Sequence, residues 1–458
     1  MGEVETMNAP DVTTPVMRPY LPATAHFASG QDSPRAFLER CLAALEAWEP
    51  TIGAFVTLNV AAARTAADES SKRWRSGKPL SAIDGMPIGI KDIIETIDMP
   101  TQNGSPLFSG FRSERDGASV AALREAGAVI VGKTVTTEFA ATEPRDTRNP
   151  WDTARTPGGS SSGSAAAVAV GAISVGLGTQ VLGSILRPAS FCGCFGFKPT
   201  VGAINRGGSY DGLSQSVHGP LAASLPEAWQ VAYEIAQRAG GDPGFPGLYG
   251  PATPPAAAKP RKLAILETDG WAVATAAAKQ ALEAAVDKLR AAGIAIATRH
   301  DHEQVAATET VIQGARELSI AINAWESRWP INTYRARDAG KLSKSMLDRG
   351  VQAEAITLDD YRRYIADRDR RRVAYHELAT EFDACITLSA PGAAPVGLGS
   401  TGNPIFVVPG SMLGVPTLSL PVLNDDGLPL GLQLLGFAHR DAALFATAAG
   451  VQQIMHQN

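Results

Sequence analysis

Four cysteines in 458 residues (Cys41, Cys192, Cys194 and Cys385) are too few for a disulfide framework, and this scarcity points to a reducing compartment. Cys192 and Cys194 are spaced like half of a metal site. No second pair and no nearby histidine completes a set, so they read as buried small apolar groups and no metal or cofactor is expected. No uninterrupted apolar run is long enough for a membrane span. The acidic, proline-spotted N-terminus does not read as a signal peptide, so a cytoplasmic location is expected. Met1-Gly2 with Thr6 formally fits a myristoylation pattern, but Glu3 and Glu5 leave no basic second anchor. A basic excess is also missing: 41 Lys and Arg stand against 46 Asp and Glu, a net charge of −5. That balance argues against a nucleic-acid partner.

What the chain does have is core-forming material, with 45% hydrophobic and 19% charged residues. Its length suits two ordinary domains or one large α/β domain. The most informative stretch is residues 156–200, TPGGSSSGSAAAVAVGAISVGLGTQVLGSILRPASFCGCFGFKPT. A Pro-Gly-Gly turn and three serines lead into a small-residue helix at about 164–171. An apolar strand at about 173–177 then runs to a second Gly-Ser corner at Gly183-Ser184. A flexible linker would share the Gly and Ser content but not the Ala-Val run and the strand. Two serines at tight corners of a packed core are candidates for a nucleophile and its helper.

In chain order, residues 1–33 are Pro-, Thr- and Ala-rich and are expected on the surface. Helices are expected at about 34–48, 60–75, 118–127, 224–240 and 275–292, and strands at about 128–131, 262–266 and 294–298. Lys91 interrupts the apolar run GMPIGIKDII, either as an edge residue reaching solvent or as a buried amine of lowered pKa. Residues 205–220 form a glycine-rich loop long enough to line a site. Residues 241–260 are the one low-complexity insert. The arginines at 362, 363, 368, 370, 371 and 372 interleave with aspartates as on a solvated, ion-paired helix face. His300-Asp301-His302 reads as surface. Short strands at 385–388, 416–420 and 429–435 precede a final helix at 441–455.

Two motif matches mislead. Gly127-AVIV-Gly132-Lys133-Thr134 fits the phosphate-loop pattern, but its strand lies between the glycines, which commits those amides to a ladder. Gly159-Ser160-Ser161-Ser162-Gly163 fits G-x-S-x-G. A nucleophile elbow should follow a strand, yet residues 145–157 are polar and turn-rich.

Taken together, GMPIGIKDII (85–94), GAVIVGKTVTTEF (127–139), PGGSSSGSAAAVAVG (157–171), GTQVLGSILRPASFCG (178–193), GFKPT (196–200), GVPTLSLPV (414–422) and GLPLGLQLLG (427–436) resemble the amidase signature family of serine hydrolases. The resemblance implies a single α/β domain over 1–458 with a large mixed sheet between helices. Within it, 1–80 would be an N-terminal helical segment, 81–225 the signature core, 240–380 a divergent substrate-side region and 381–458 a return to the core. It also implies a Ser–Ser–Lys triad whose middle serine follows a cis peptide: Lys91, Ser160 and Ser184 here. The family separates its two serines by 24 positions, as this chain does, which selects Ser160 over Ser161 and Ser162. The oxyanion would rest on the backbone amides of Val181, Leu182, Gly183 and Ser184.

Chemically, a buried Lys91 stripped of hydration would be neutral enough to act as a base through Ser160 on Ser184. The chain departs from the family's D-T-G-G-S-I-R pattern. It reads QVLGSIL with Arg187 one place late, so Gln180 replaces the aspartate that pairs with arginine. Leu182, in place of glycine or alanine, either narrows the pocket or points elsewhere. The implied protein is an amidase of the broad-specificity, aryl-acylamidase and urethanase type, acting on amide, carbamate or ester substrates with water and compatible with a homodimer. Three rivals stand beside it: an amidotransferase component that generates ammonia, an α/β-hydrolase using Ser161, and an inactive binding scaffold. With no ligand cluster in the sequence, activity is expected to survive exhaustive chelation. Recovery dependent on added zinc would contradict this.

Overall fold

Strands buried on both faces need helices on both sides, and they read as continuous apolar or small-residue runs rather than alternating ones. PIGIK at Pro87–Lys91, VIVGKT at Val129–Thr134 and VGLGTQ at Val175–Gln180 are of this kind, every residue being buried. The computed structural model describes residues 14–141 and 143–457, and the N-terminal acylation pattern lies outside them. In chain order the strands are β1 (Phe55–Leu58), β2 (Pro87–Lys91), β3 (Val129–Thr134), β4 (Val175–Gln180), β5 (Phe195–Lys198), β6 (Val217–Ala222), β7 (Lys262–Ile265), β8 (Ala295–Ala297), β9 (Ala384–Leu388), β10 (Thr417–Asp425) and β11 (Leu428–Leu435). They form one 11-stranded sheet in the order β1-β3-β2-β4-β6-β5-β10-β11-β9-β7-β8. The fold is α/β with a mixed sheet. β2 runs parallel to both β3 and β4, while β4–β6, β6–β5, β5–β10, β10–β11 and β11–β9 are antiparallel. Strands from before and after residues 241–260 join the same sheet, although that stretch contains no helix or strand.

Helix ends follow ordinary capping chemistry. Pro34–Ile52 starts at Ser33, whose hydroxyl accepts the Ala36 amide, and stops at Gly53 in the left-handed region. The helix Ser162–Ala169 is buried along its whole length, so small side chains let it press against the sheet. A Cβ at Gly163 would lie 2.1 Å from the Ala54 carbonyl oxygen and 2.4 Å from the Val135 nitrogen. Five α-helices (Ala276–Ala291, Glu303–Ile312, Ala315–Asp338, Lys344–Ala355 and Leu358–His376) lie between β7 and β9. All four cysteines are free and buried, and burial pushes the Cys41, Cys194 and Cys385 thiols up to about 12.

Three expectations need correction, the first being the 205–220 loop, whose last residues, Val217 to Pro220, belong to β6. Within residues 14–33, Tyr20 and Phe27 are core residues, and the Tyr20 hydroxyl donates to the Asp84 carbonyl at 2.5 Å, so this segment is not merely surface wrapping. Arg368 leaves the solvated face of its helix. It is 8% exposed and donates from Nη1 to Ser214 Oγ at 2.7 Å, tying the segment before β6 to the helix, with Asp369 3.6 Å from its Nε; Arg362, Arg363, Arg370 and Arg371 pair with aspartates on the helix surface. The phosphate-loop match is a ladder segment, as its strand pattern required. Gly132 and Lys133 lie inside β3, and Lys133 Nζ is 3.2 Å from Asp92 Oδ1.

Because both near contacts of Gly163 are backbone atoms, Gly163→Ala should destabilise the protein by about 1–3 kcal/mol. Gly399→Ala, which meets nothing within 4 Å, should leave the urea midpoint unchanged. Equal midpoints for the two variants would refute this packing account.

Candidate functional site

The parallel pairing of β2 with β3 and β4 places Lys91, the last residue of β2, inside the sheet rather than at an edge. Lys91 is fully buried, so its amine must find its partners in protein. Nζ donates to Ser160 Oγ at 2.7 Å and to Thr179 Oγ1 at 2.8 Å, with the Thr179 carbonyl at 3.4 Å. No carboxylate lies within ion-pair distance of it among the described residues. Burial accordingly lowers its pKa to about 7, opposed by the negative field of Asp211.

The three serines of the SSS run have different surroundings. The Gly159–Ser160 peptide is cis, and Ser160 is the one that meets Lys91. Ser161 is fully buried with its hydroxyl turned to the Thr179 carbonyl at 3.3 Å, and no strand leads into it. Ser162 opens the following helix, its hydroxyl on the Val135 carbonyl at 3.3 Å. Ser184 is half-buried, and its carbonyl accepts from Ser161 N at 3.3 Å. Its hydroxyl has no hydrogen-bond partner among the described residues.

The amides of Val181, Leu182, Gly183 and Ser184 also donate to no acceptor among the described residues. The next two amides do. Gln180 Oε1 accepts from Ile185 N at 2.9 Å and Leu186 N at 3.0 Å. Leu182 does not fill the site, because its side chain packs against the apolar cluster that includes Ile322, Val408 and Met412.

Gln180 and Arg187 make no hydrogen bond to each other. Arg187 is buried without a carboxylate partner among the described residues. It donates from Nη2 to the Gly159 carbonyl at 2.6 Å and to Thr401 Oγ1 at 2.8 Å, thereby holding the peptide before Ser160. Burial pulls its pKa down to about 9.

His218, opposite Thr179 in the β4–β6 register, is buried. Its Nδ1 lies 2.9 Å from Ser119 Oγ, whose own proton goes to the Asn205 carbonyl, so Nδ1 is the donor. Burial lowers the His218 pKa to about 3, and among the described residues the ring makes no hydrogen bond to Ser160 or Ser184. On the other side of Ser160, whose carbonyl accepts from Thr137 N at 3.3 Å, the chain reaches an aromatic group. Phe139 stacks on Tyr334 at 4.2 Å, and Phe108 stands edge-on to Phe139, Tyr210 and Tyr334. No group of three or more His, Cys, Asp or Glu is placed to hold a metal, and no helix is long and apolar enough to cross a membrane, among the described residues.

Reading the residues in order missed Thr179, Asp211 and Ser411, the last being a partner of Gln180. Thr179 lies in the GTQVLGS segment and Asp211 in the 205–220 stretch, so both had a visible signal, while Ser411 had none.

The Amidase family model matches residues 36–445, and the chain belongs to that family. It is 33% identical over 470 aligned positions to a component of the glutamyl-tRNA(Gln) amidotransferase of Chloroflexus aggregans (strain MD-66 / DSM 9485), covering 93% of this chain and 94% of that one. Among solved structures it resembles a peptide amidase from Stenotrophomonas maltophilia (TM-score 0.76, 25% identity, covering 94% of this chain and 95% of that one). It also resembles a chain from a vestigial protein complex bearing on the origins of an s-triazine catabolic enzyme, with TM-score 0.82 and 27% identity, covering 95% of this chain and 98% of that one.

Thr179 Oγ1 is an acceptor for the Lys91 ammonium, and its removal disfavours the charged form. If Lys91 titrates in turnover, Thr179→Val should shift the midpoint of the pH–rate profile to lower pH. A midpoint that stayed fixed or rose would contradict the assigned role of Thr179.

Proposed function

We propose that this protein is a hydrolase of C–N bonds that works through an acyl-enzyme on Ser184, with Lys91 as base and Ser160 as proton relay. The observation that carries the reading is a fully buried amine of lowered pKa bonded at 2.7 Å to Ser160 with no carboxylate to hold it charged. Neutral Lys91 takes the Ser160 proton as Ser160 takes that of Ser184, once the Ser184 hydroxyl turns toward it. The Ser184 oxygen attacks the carbonyl carbon, and the tetrahedral oxyanion is met by the unspent amides of residues 181–184. Ser160 then passes the proton to the leaving nitrogen, the C–N bond breaks, and water repeats the sequence to release the acid. Nothing in these steps requires the leaving atom to be an amide nitrogen, so esters and carbamates fall within reach of the same chemistry. The aromatic group around Phe139 and Tyr334 starts two residues after Thr137, whose amide bonds the Ser160 carbonyl, and it favours aryl-bearing substrates.

A second reading, ammonia production from glutamine for partner proteins, draws on the 33% identity to the Chloroflexus protein. Against it stands the loss of the acidic residue at Gln180, which leaves Arg187 on a backbone carbonyl and a threonine. The purified chain should cleave aryl amides and carbamates alone. Inertness alone, with glutaminase activity on adding the other amidotransferase components, would favour the second reading.

Ser184→Ala should lower turnover by about 10⁴-fold or more with the fold intact, whereas Ser161→Ala should not. Lys91→Met should cost about 10²–10⁴ in acylation rate, and His218→Ala should stay within about tenfold, near 1.4 kcal/mol of barrier. Wild-type activity should rise with pH as the Lys91 ammonium loses its proton near pH 7, then hold above it. An inactive His218→Ala beside a competent Lys91→Met would refute the lysine mechanism.

A further inference from the structure

Gln180 ends β4, Ser411 lies in the helix Val408–Leu413, and both are fully buried. Gln180 Nε2 donates to Ser411 Oγ at 3.0 Å, and Ser411 Oγ donates to the Leu182 carbonyl at 2.9 Å. Gln180 Oε1 meanwhile accepts the Ile185 and Leu186 amides. The directions are forced. Ser411 has a single hydroxyl proton, and it goes to Leu182, so its lone pair must receive a donor from residue 180. Turning the carboxamide over would set its NH2 against two backbone N–H groups and its oxygen against a hydroxyl whose proton is already used. A carboxylate at 180 could accept the two amides but could not donate to Ser411. Ser411 would then turn its proton to the carboxylate, and the Leu182 carbonyl would lose its anchor.

That carbonyl matters because a trans peptide is planar, with its C=O and N–H pointing in opposite directions. Anchoring the Leu182 oxygen on Ser411 therefore fixes the direction of the Gly183 N–H, one of the four unspent amides. Gly183 is pinned from its other side too: a Cβ there would lie 2.5 Å from Val407 Cγ2 and 3.0 Å from Pro404 Cβ. The loop is thus held by one carbonyl anchor, one pair of amides and one close packing contact, while its four inner amides stay unused.

We propose that Gln180 and Ser411 are positioning residues that act together to hold the Leu182–Gly183 peptide with its N–H directed at the developing oxyanion. This rests on the reading of Ser184 as the nucleophile. Neither side chain touches substrate. Their contribution is geometric, and it should appear where negative charge develops on the substrate oxygen and not in ground-state binding. Removing one oxyanion donor outright costs about 10²–10³ in rate, so releasing one from its anchor should cost about 10–10².

The experiment compares wild type, Ser411→Ala, Ser411→Thr and Gln180→Glu on an aryl amide, with kcat and KM measured separately. The inhibition constant of an aryl trifluoromethyl ketone, whose adduct with a serine carries an oxyanion, is measured in parallel. Ser411→Ala and Gln180→Glu should each lose about 10–10²-fold in kcat and weaken ketone binding by a similar factor. KM should change by less than about threefold, and Ser411→Thr, which restores the hydroxyl, should recover most of both losses. Unchanged kcat and ketone affinity in Ser411→Ala would overturn the proposal, as would a loss confined to KM. Should Ser411→Ala fail to fold, Ser411→Cys, which weakens the donor to Leu182 without adding charge, is read beside Gln180→Glu, and wild-type kcat and ketone affinity in Ser411→Cys would overturn the proposal. Ser184→Ala, run beside them, separates the two levels. If it is active, the nucleophile assignment falls. If it is dead while the Ser411 and Gln180 variants match wild type, only their positioning role falls.

Discussion

The structure depends on one ammonium group removed from water. Lys91 ends an interior strand, and among the described residues its amine bonds to two hydroxyls and a carbonyl alone. Such an amine is costly to keep charged, and the surrounding chain does little to help it remain so. The geometry around it follows from that constraint. Thr179 comes from the adjacent parallel strand, Ser160 is presented by a peptide held through Arg187, and Asp211 acts through its field without making an ion pair. A carboxylate in direct contact would favour the protonated amine, and the base role proposed for Lys91 would be lost.

The contrast with Lys133 makes the point sharper. It sits in the neighbouring strand, is buried as deeply, and also bonds to a hydroxyl and backbone carbonyls. The difference is Asp92, 3.2 Å away, which favours the charged form and turns that lysine into a tie between β2 and β3. Burial lowers the pKa of both lysines, and the contacting carboxylate that opposes this at Lys133 is what Lys91 does without.

Much of this was legible from residue order, for physical reasons. The helix expected at 275–292 is Ala276–Ala291, capped by Thr275, and that at 441–455 is Asp441–His456, whereas the one expected to end near 48 continues through Pro50 to Ile52 before Gly53 stops it. The strand expected at 173–177 runs later, as Val175–Gln180, because its glycines depress strand propensity without preventing a strand. One of them is required by the packing, since a Cβ on Gly176 would lie 2.7 Å from the Ser164 Cβ. Lys91 could not be settled locally, because its run suits an edge or a centre equally well and only the pairing partners decide. Ser411 was invisible. It stands 231 positions from Gln180 in an ordinary VPGSML segment, and only the fold brings the two side chains together.

The four hidden thiols have a practical consequence. They sit in distinct places: Cys41 on the N-terminal helix, Cys192 and Cys194 behind the Ser184 corner, and Cys385 in β9 near the opposite end of the sheet. Each is shielded and held as a thiol well above neutral pH, so an alkylating reagent reacts only after the surrounding structure opens and releases a thiolate. The chain therefore carries its own set of footprinting probes. Their relative labelling rates report how independently the three regions breathe, with no engineered label.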